Sequence, residues 1–178
     1  ENDDVTSKGP LFKKAWADRY KGIVEYRPKH KVVDVDAASN TLKFEFNDDL
    51  KADVLNVLPM MRAGQIAVQT GLATANRRWC EVDFLTFESK AAQNIHVLGD
   101  AIQVAPLMPK SGHMANQHGK AAAAAIVELM NGRSPVAPMM ANTCYSFVDD
   151  KNVVHVASVH SYNAEEKTMK VVAGSGGV

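Results

Sequence analysis

Nowhere in these 178 residues does an apolar strand pattern run into Gly-x-Gly-x-x-Gly. The clustered glycines, Gly174, Gly176 and Gly177, lie at the C-terminal end with no helical pattern after them. The chain therefore has no turn of its own to cradle a dinucleotide's diphosphate. Cysteine is scarce: Cys80 and Cys144 form neither a CxxC motif nor a disulfide framework, and alone they do not fix a compartment. No apolar run reaches the roughly 18–20 residues that span a bilayer. The longest, Ala121–Val127, is mostly alanine. Charge of one sign is missing too. Twenty basic residues balance twenty acidic ones, so the basic face that nucleic acid or anionic lipid would require is not there. The chain opens Glu-Asn-Asp-Asp, without a methionine or a signal-peptide pattern, as a processed or cut terminus would.

What is present is a 46% apolar chain long enough for one domain or two small ones. Residues 1–9 are polar and aperiodic. Pro10 to Gly22 reads as a helix, with Leu11, Phe12, Ala15, Trp16 and Tyr20 on one face. Lys31–Val35 and Thr41–Phe46 alternate around Asp36–Asn40 and read as a hairpin, and Lys51–Leu58 as a buried strand stopped by Pro59. A short helix is expected over Arg62–Thr70, ended by Gly71. Extended segments are expected at Val82–Phe87 and Ile95–Leu98. The longest helix should run from Gly112 to Met130, closed by Asn131-Gly132. Strands are expected at Tyr145–Val148, Val153–Val159 and Thr168–Val172, with a turn over Tyr162–Lys167 and a flexible end over Gly174–Val178.

The candidate chemistry lies at Gly99-Asp100 and at the helix start downstream of it. A short apolar run ends in a glycine, which permits close backbone approach, and in a carboxylate able to accept a hydroxyl's hydrogen bond. The helix after this corner starts Lys110-Ser-Gly112 with no acidic residue, so its positive end would stabilise negative charge on a ring edge. The plainer readings are a Gly-Asp turn after a strand and an ordinary helix capped by Ser111. Ala115 and Ala121–Ala125 would let that helix lie close against a neighbour. Cys144 reads either as a partly exposed, reactive thiol or, more plainly, as a buried structural one, and Cys80 as structural. His113 and His118 are five apart, about 140° around a helix, and His155 and His160 fall on opposite faces of a strand, so no metal site is expected. Asp48-Asp49 and Asp149-Asp150 read as turns.

Eight segments occur in order: Lys51-Ala-Asp-Val-Leu-Asn-Val-Leu-Pro59, Arg62-Ala-Gly64, Trp79-Cys-Glu-Val-Asp83, Thr86-Phe-Glu-Ser89, His96-Val-Leu-Gly-Asp-Ala101, Pro109-Lys-Ser-Gly112, Gly119-Lys-Ala-Ala-Ala123 and Asn142-Thr-Cys-Tyr-Ser146. Together they closely resemble the flavoprotein subunit of flavocytochrome c sulfide dehydrogenase. Pro-Lys-Ser-Gly and Asn-Thr-Cys-Tyr-Ser are the specific blocks. Met60-Met61 and His113 depart from the family's pattern.

The resemblance implies an α/β to α+β fold: part of a two-dinucleotide-domain flavoprotein lacking its N-terminal Rossmann half, plus the start of an α+β C-terminal domain. Residues 1–78 would be the remainder of the second dinucleotide-binding-like domain. Residues 79–134 would be the returning FAD segment, and 135–178 the opening of the C-terminal flavin-binding or interface domain. The resemblance also implies sulfide oxidation at a cysteine pair beside FAD, with electrons passing to a haem-bearing cytochrome c subunit in the periplasm. Cys144 matches one member of that pair; the other would lie upstream of residue 1. Gly99, Asp100 and Ala101 match the ribityl contact, and Lys110, Ser111 and Gly112 the helix start at the flavin edge. Without the phosphate-cradling half, the isolated chain is expected to bind FAD weakly and not to turn over. Rival expectations are a sulfide:quinone or type II NADH dehydrogenase-like flavoprotein, which would want amphipathic membrane helices near its C-terminus, and a non-catalytic domain that binds another protein through residues 135–178.

Overall fold

The computed structural model describes residues 8–177. The expected polar N-terminal stretch lies mostly outside them. The described residues divide into two units, one comprising the chain through Pro59 with Ser146–Val154, the other Met60–Tyr145 with His155 onward.

The first unit opens with α1, Gly9–Arg19, which has proline in its first turn. Leu11, Phe12, Ala15, Trp16 and Tyr20 are all half-buried, as the helical periodicity requires. Arg19 pairs with Asp149, and the Tyr20 hydroxyl donates to the Val148 carbonyl. These contacts seat α1 on the segment Ser146–Val154. Strands β1 (Val32–Asp36), β2 (Thr41–Phe44) and β3 (Leu50–Lys51) form a three-stranded sheet in that order, both pairs antiparallel. Asp36 shapes the hairpin turn by accepting from the Ala38 and Ser39 amides, and Asn40 takes φ +51°. The expected strand Lys51–Leu58 is corrected to the two residues of β3. Strand β2 begins at Thr41, opposite Lys51, so beyond Ala52 no backbone is there to pair with. Val54 and Leu58 are consequently 84% and 89% exposed.

The second unit holds the core. Helix α2 is short, Gln65–Gln69, and the chain leaves it through Gly71 at φ +76°. Val82–Phe87 is a turn rather than a strand. Asp83 accepts from the Phe87 amide, and Phe87 takes φ +61°. Ile95–Leu98 contributes only the isolated bridge Glu88–His96. Helix α3 spans Gly112–Met130, with the bounds that its serine cap and closing glycine dictate. Strands β4 (Met139–Phe147), β5 (Val153–Asn163) and β6 (Thr168–Val171) form the second sheet in sequence order, with residues 139–145 of β4 and 155–163 of β5 falling in this unit. Strands β5 and β6 pair antiparallel from His160–Val171 to Asn163–Thr168. Within the segment expected to be a flexible end, Gly177 exchanges both backbone hydrogen bonds with Ala157, and Val178 lies outside the described residues. Phe84, Phe87, Ile102, Met108, Met114, Ala122, Met140 and Met169 form the main buried cluster. Mixed helix and small antiparallel sheets agree with the expected α/β to α+β class.

Among the described residues, no helix is long and apolar enough to cross a membrane, and no group of three or more His, Cys, Asp or Glu side chains is placed to hold a metal ion.

Candidate functional site

Leu98 is extended, and Gly99–Ala101 then turns as a single 3-10 turn. Gly99 is buried with φ +69°, and a Cβ on it would stand 3.3 Å from the Ala115 Cβ of α3. Only glycine suits both constraints. Three further contacts fix this corner. The Gly99 amide donates to His118 Nδ1 at 3.1 Å. Lys110 Nζ donates to the Asp100 and Ile102 carbonyls at 2.6 and 2.7 Å. The Cys80 amide donates to the Ala101 carbonyl at 2.9 Å. Asp100 itself is exposed, and among the described residues no hydrogen bond engages its carboxylate.

The Lys110 ammonium is engaged by the corner and by Trp79 rather than standing open. It sits 3.7 Å from the centre of the Trp79 ring, and burial pulls its pKa down against the opposing pull of Asp100. It acts as a clamp between the corner and the approach to α3. Cys80 is fully buried, and burial pushes its thiol up, with Lys110 opposing. It has the environment of an inert structural cysteine.

Ser111 caps α3: its Oγ accepts from the Met114 amide at 3.0 Å, with no acidic residue in the first turn. Gly112 and His113, whose amides belong to the turn without intrahelical acceptors, are exposed. The same helix end is laced to β4. Ser111 Oγ donates to Asn142 Oδ1 at 2.6 Å. The Gln117 carboxamide donates to the Ala141 carbonyl and accepts from its amide, at 2.8 and 3.2 Å. The Thr143 amide donates to His113 Nδ1 at 3.3 Å. As the first strand of its sheet, β4 has one edge with no strand beside it, and these side chains satisfy its backbone. Cys144, two residues beyond the buried Asn142, is half-buried on the same strand face, with Sγ 3.5 Å from Asn142 Nδ2.

The structure thus gathers Gly99, Asp100, Ala101, Lys110, Ser111, Gly112 and Cys144 into one connected group within the second unit. It adds two residues to which the sequence reading gave no role in the site. His118 is 1% exposed, stacks on Phe87 with ring centres 4.8 Å apart, and has its pKa lowered to about 4 by burial. Its place in the series Met114, His118, Ala122, Ala125 marks the buried stripe of α3 and was the available signal. Asn142 was signalled by the period-2 relation to Cys144.

Residues 1–59 match the family model described as the central region of the sulfide dehydrogenase (flavocytochrome c) flavoprotein chain. Residues 136–178 match the model described as flavocytochrome c sulphide dehydrogenase, flavin-binding. The latter makes the cofactor a flavin, FAD in this family. Both models describe one and the same polypeptide and together they cover more than half of the 178 residues: the chain belongs to the flavoprotein-chain family of flavocytochrome c sulfide dehydrogenase.

Proposed function

We propose that this chain supplies the ring-side part of an FAD site in a sulfide-oxidising dehydrogenase, with Cys144 as its redox thiol and a haem-bearing cytochrome c as electron acceptor in the periplasm. In this reading residues 1–78 are the remainder of a dinucleotide-binding-like domain, 79–134 the returning FAD segment, and 135–178 the start of the C-terminal domain. The observation that carries it is the convergence at Asn142. One buried side chain touches both the cap of the ring-side helix and the sulfur of Cys144.

The residues fit the flavin. An exposed carboxylate at Asp100 stands on a corner kept narrow by Gly99, and the exposed start of α3 has no competing acid. Bound there, FAD supplies a two-electron acceptor that can pass electrons on one at a time. Asp100 would accept a hydrogen bond from a ribityl hydroxyl. Lys110 keeps the corner's carbonyls turned inward. The positive end of α3 would stabilise negative charge on a ring edge. Cys144 presents the sulfur at which hydrosulfide enters by exchange with a disulfide, the second cysteine coming from outside this sequence. Cys80, inert and buried, takes no part.

In the full-length flavoprotein, Cys144→Ser is expected to abolish sulfide-dependent cytochrome reduction while FAD stays bound. Turnover at the unaltered rate would remove Cys144 from the mechanism.

A further inference from the structure

Asn142 is only 2% exposed, and a buried amide must place its donors as well as its acceptor. Its bonds have a direction. The Met114 amide donates to Ser111 Oγ, which therefore turns its own proton elsewhere, onto Asn142 Oδ1 at 2.6 Å. With Oδ1 engaged by that short bond, Asn142 Nδ2 faces Cys144 Sγ at 3.5 Å. The protonated sulfur can also donate back to Oδ1, at 3.6 Å, a contact that a thiolate cannot make, so the Nδ2 contact is the one that survives deprotonation. Each donor in the series from Met114 through Ser111 and Asn142 thus points from the positive end of α3 toward the sulfur. A neutral thiol is a poor acceptor for a buried N–H, whereas a thiolate is a strong one. Aligned donors also polarise one another.

We propose that Ser111 and Asn142 form a one-way hydrogen-bond relay that carries the field of the α3 N-terminus to Cys144 and stabilises its thiolate. Asn142 is a positioning residue in this arrangement, and Ser111 acts on the sulfur without touching it. The relay deepens the assignment of Cys144 as the redox thiol and rests on it.

The test is the rate at which iodoacetamide labels Cys144 at neutral pH in the reduced full chain, read by mass spectrometry of its peptide. Neither flavin nor sulfide is present, so the result is independent of turnover in Cys144→Ser. Cys80 remaining unlabelled reports an intact fold. Asn142→Asp keeps the shape but replaces the donor by a carboxylate, and labelling is expected to slow about tenfold. Ser111→Ala breaks the relay at a distance and is expected to slow labelling about threefold, a fraction of a charge-assisted bond. Ser111→Thr, which keeps the hydroxyl, is expected to restore the rate. Wild-type labelling in Ser111→Ala, or failure of Ser111→Thr to recover what Ser111→Ala lost, with Cys80 still protected, would overturn the relay. The serine pair decides the matter even where Asn142→Asp exposes Cys80.

Discussion

His118 is neutral because α3 places it on a buried stripe. Its Nδ1 accepts the Gly99 amide, a bond that protonation would break. Burial lowers its pKa from 6.5 to about 4, and burial lowers that of His160 as well. Between pH 6.5 and about 4 the unfolded chain takes up the proton that folded His118 refuses. Stability is therefore full above about 6.5 and falls as the pH drops toward 4. At about 1.4 kcal/mol per unit, this amounts to a few kcal/mol. Melting temperatures of the wild type and His118→Gln, compared at pH 7.5 and 4.5, should show a flatter pH dependence in the variant. Equal slopes would mean that His118 does not sense pH. Gly99→Ala tests the other half of the same contact. A left-handed backbone with an added Cβ costs about 1 kcal/mol, and the 3.3 Å approach to Ala115 adds to that. Gly174→Ala has a similar φ of +75° with open space around it. It should lose less stability in a denaturant titration, and equal losses would place the cost of Gly99→Ala in the backbone alone.

At the scale of elements, α3 shows how one residue type serves two environments. Ala122 and Ala125 are buried against the core, whereas Ala123 and Ala124 are exposed. Overpacking a buried position costs about 1–3 kcal/mol, while an exposed alanine-to-leucine change in a helix is nearly neutral. Ala122→Leu should therefore lower the denaturation midpoint and Ala124→Leu leave it within error, and matching effects would contradict the assigned face. This helix was legible in the sequence because its signals are local: a serine cap, nineteen residues without proline, and a glycine just beyond. Strands β1 and β2 were legible for the same reason, through alternation about an Asp-led turn. Lys51–Leu58 was not. Its apolar residues carry a strand pattern, yet extended chain is held only where a partner backbone exists, and β2 offers none past Thr41. Val82–Leu98 misled differently: the segment is fixed by a left-handed Phe87 and by bridges such as Val82–Ser89. Those features depend on packing against α3, a distant part of the chain. The site followed the same division. Ser111 and Gly99 announce their backbone roles locally, while Asn142 and His118 acquire theirs only when β4 and the corner meet α3.

For the whole molecule, the question is whether these contacts alone can hold FAD. The corner offers one exposed carboxylate, at about 0.5–1.5 kcal/mol per net hydrogen bond and somewhat more when charged. The start of α3 offers about 0.3–1 kcal/mol, rising toward about 2 in sheltered geometry. Stacking area on the ring face adds to these. Against them stands the loss of translational and rotational freedom, about 4–15 kcal/mol, while even a millimolar complex needs about 4 kcal/mol of net free energy. The diphosphate, the most highly charged part of the ligand, meets no glycine-rich turn in this sequence. The 178-residue chain is therefore expected to emerge from gel filtration colourless after incubation with FAD, and equilibrium dialysis should give a dissociation constant in the millimolar range or weaker. Stoichiometric yellow cofactor retained through the column would mean that contacts on these residues replace the diphosphate cradle, and the assignment of this chain to the ring side of a divided site would then fail.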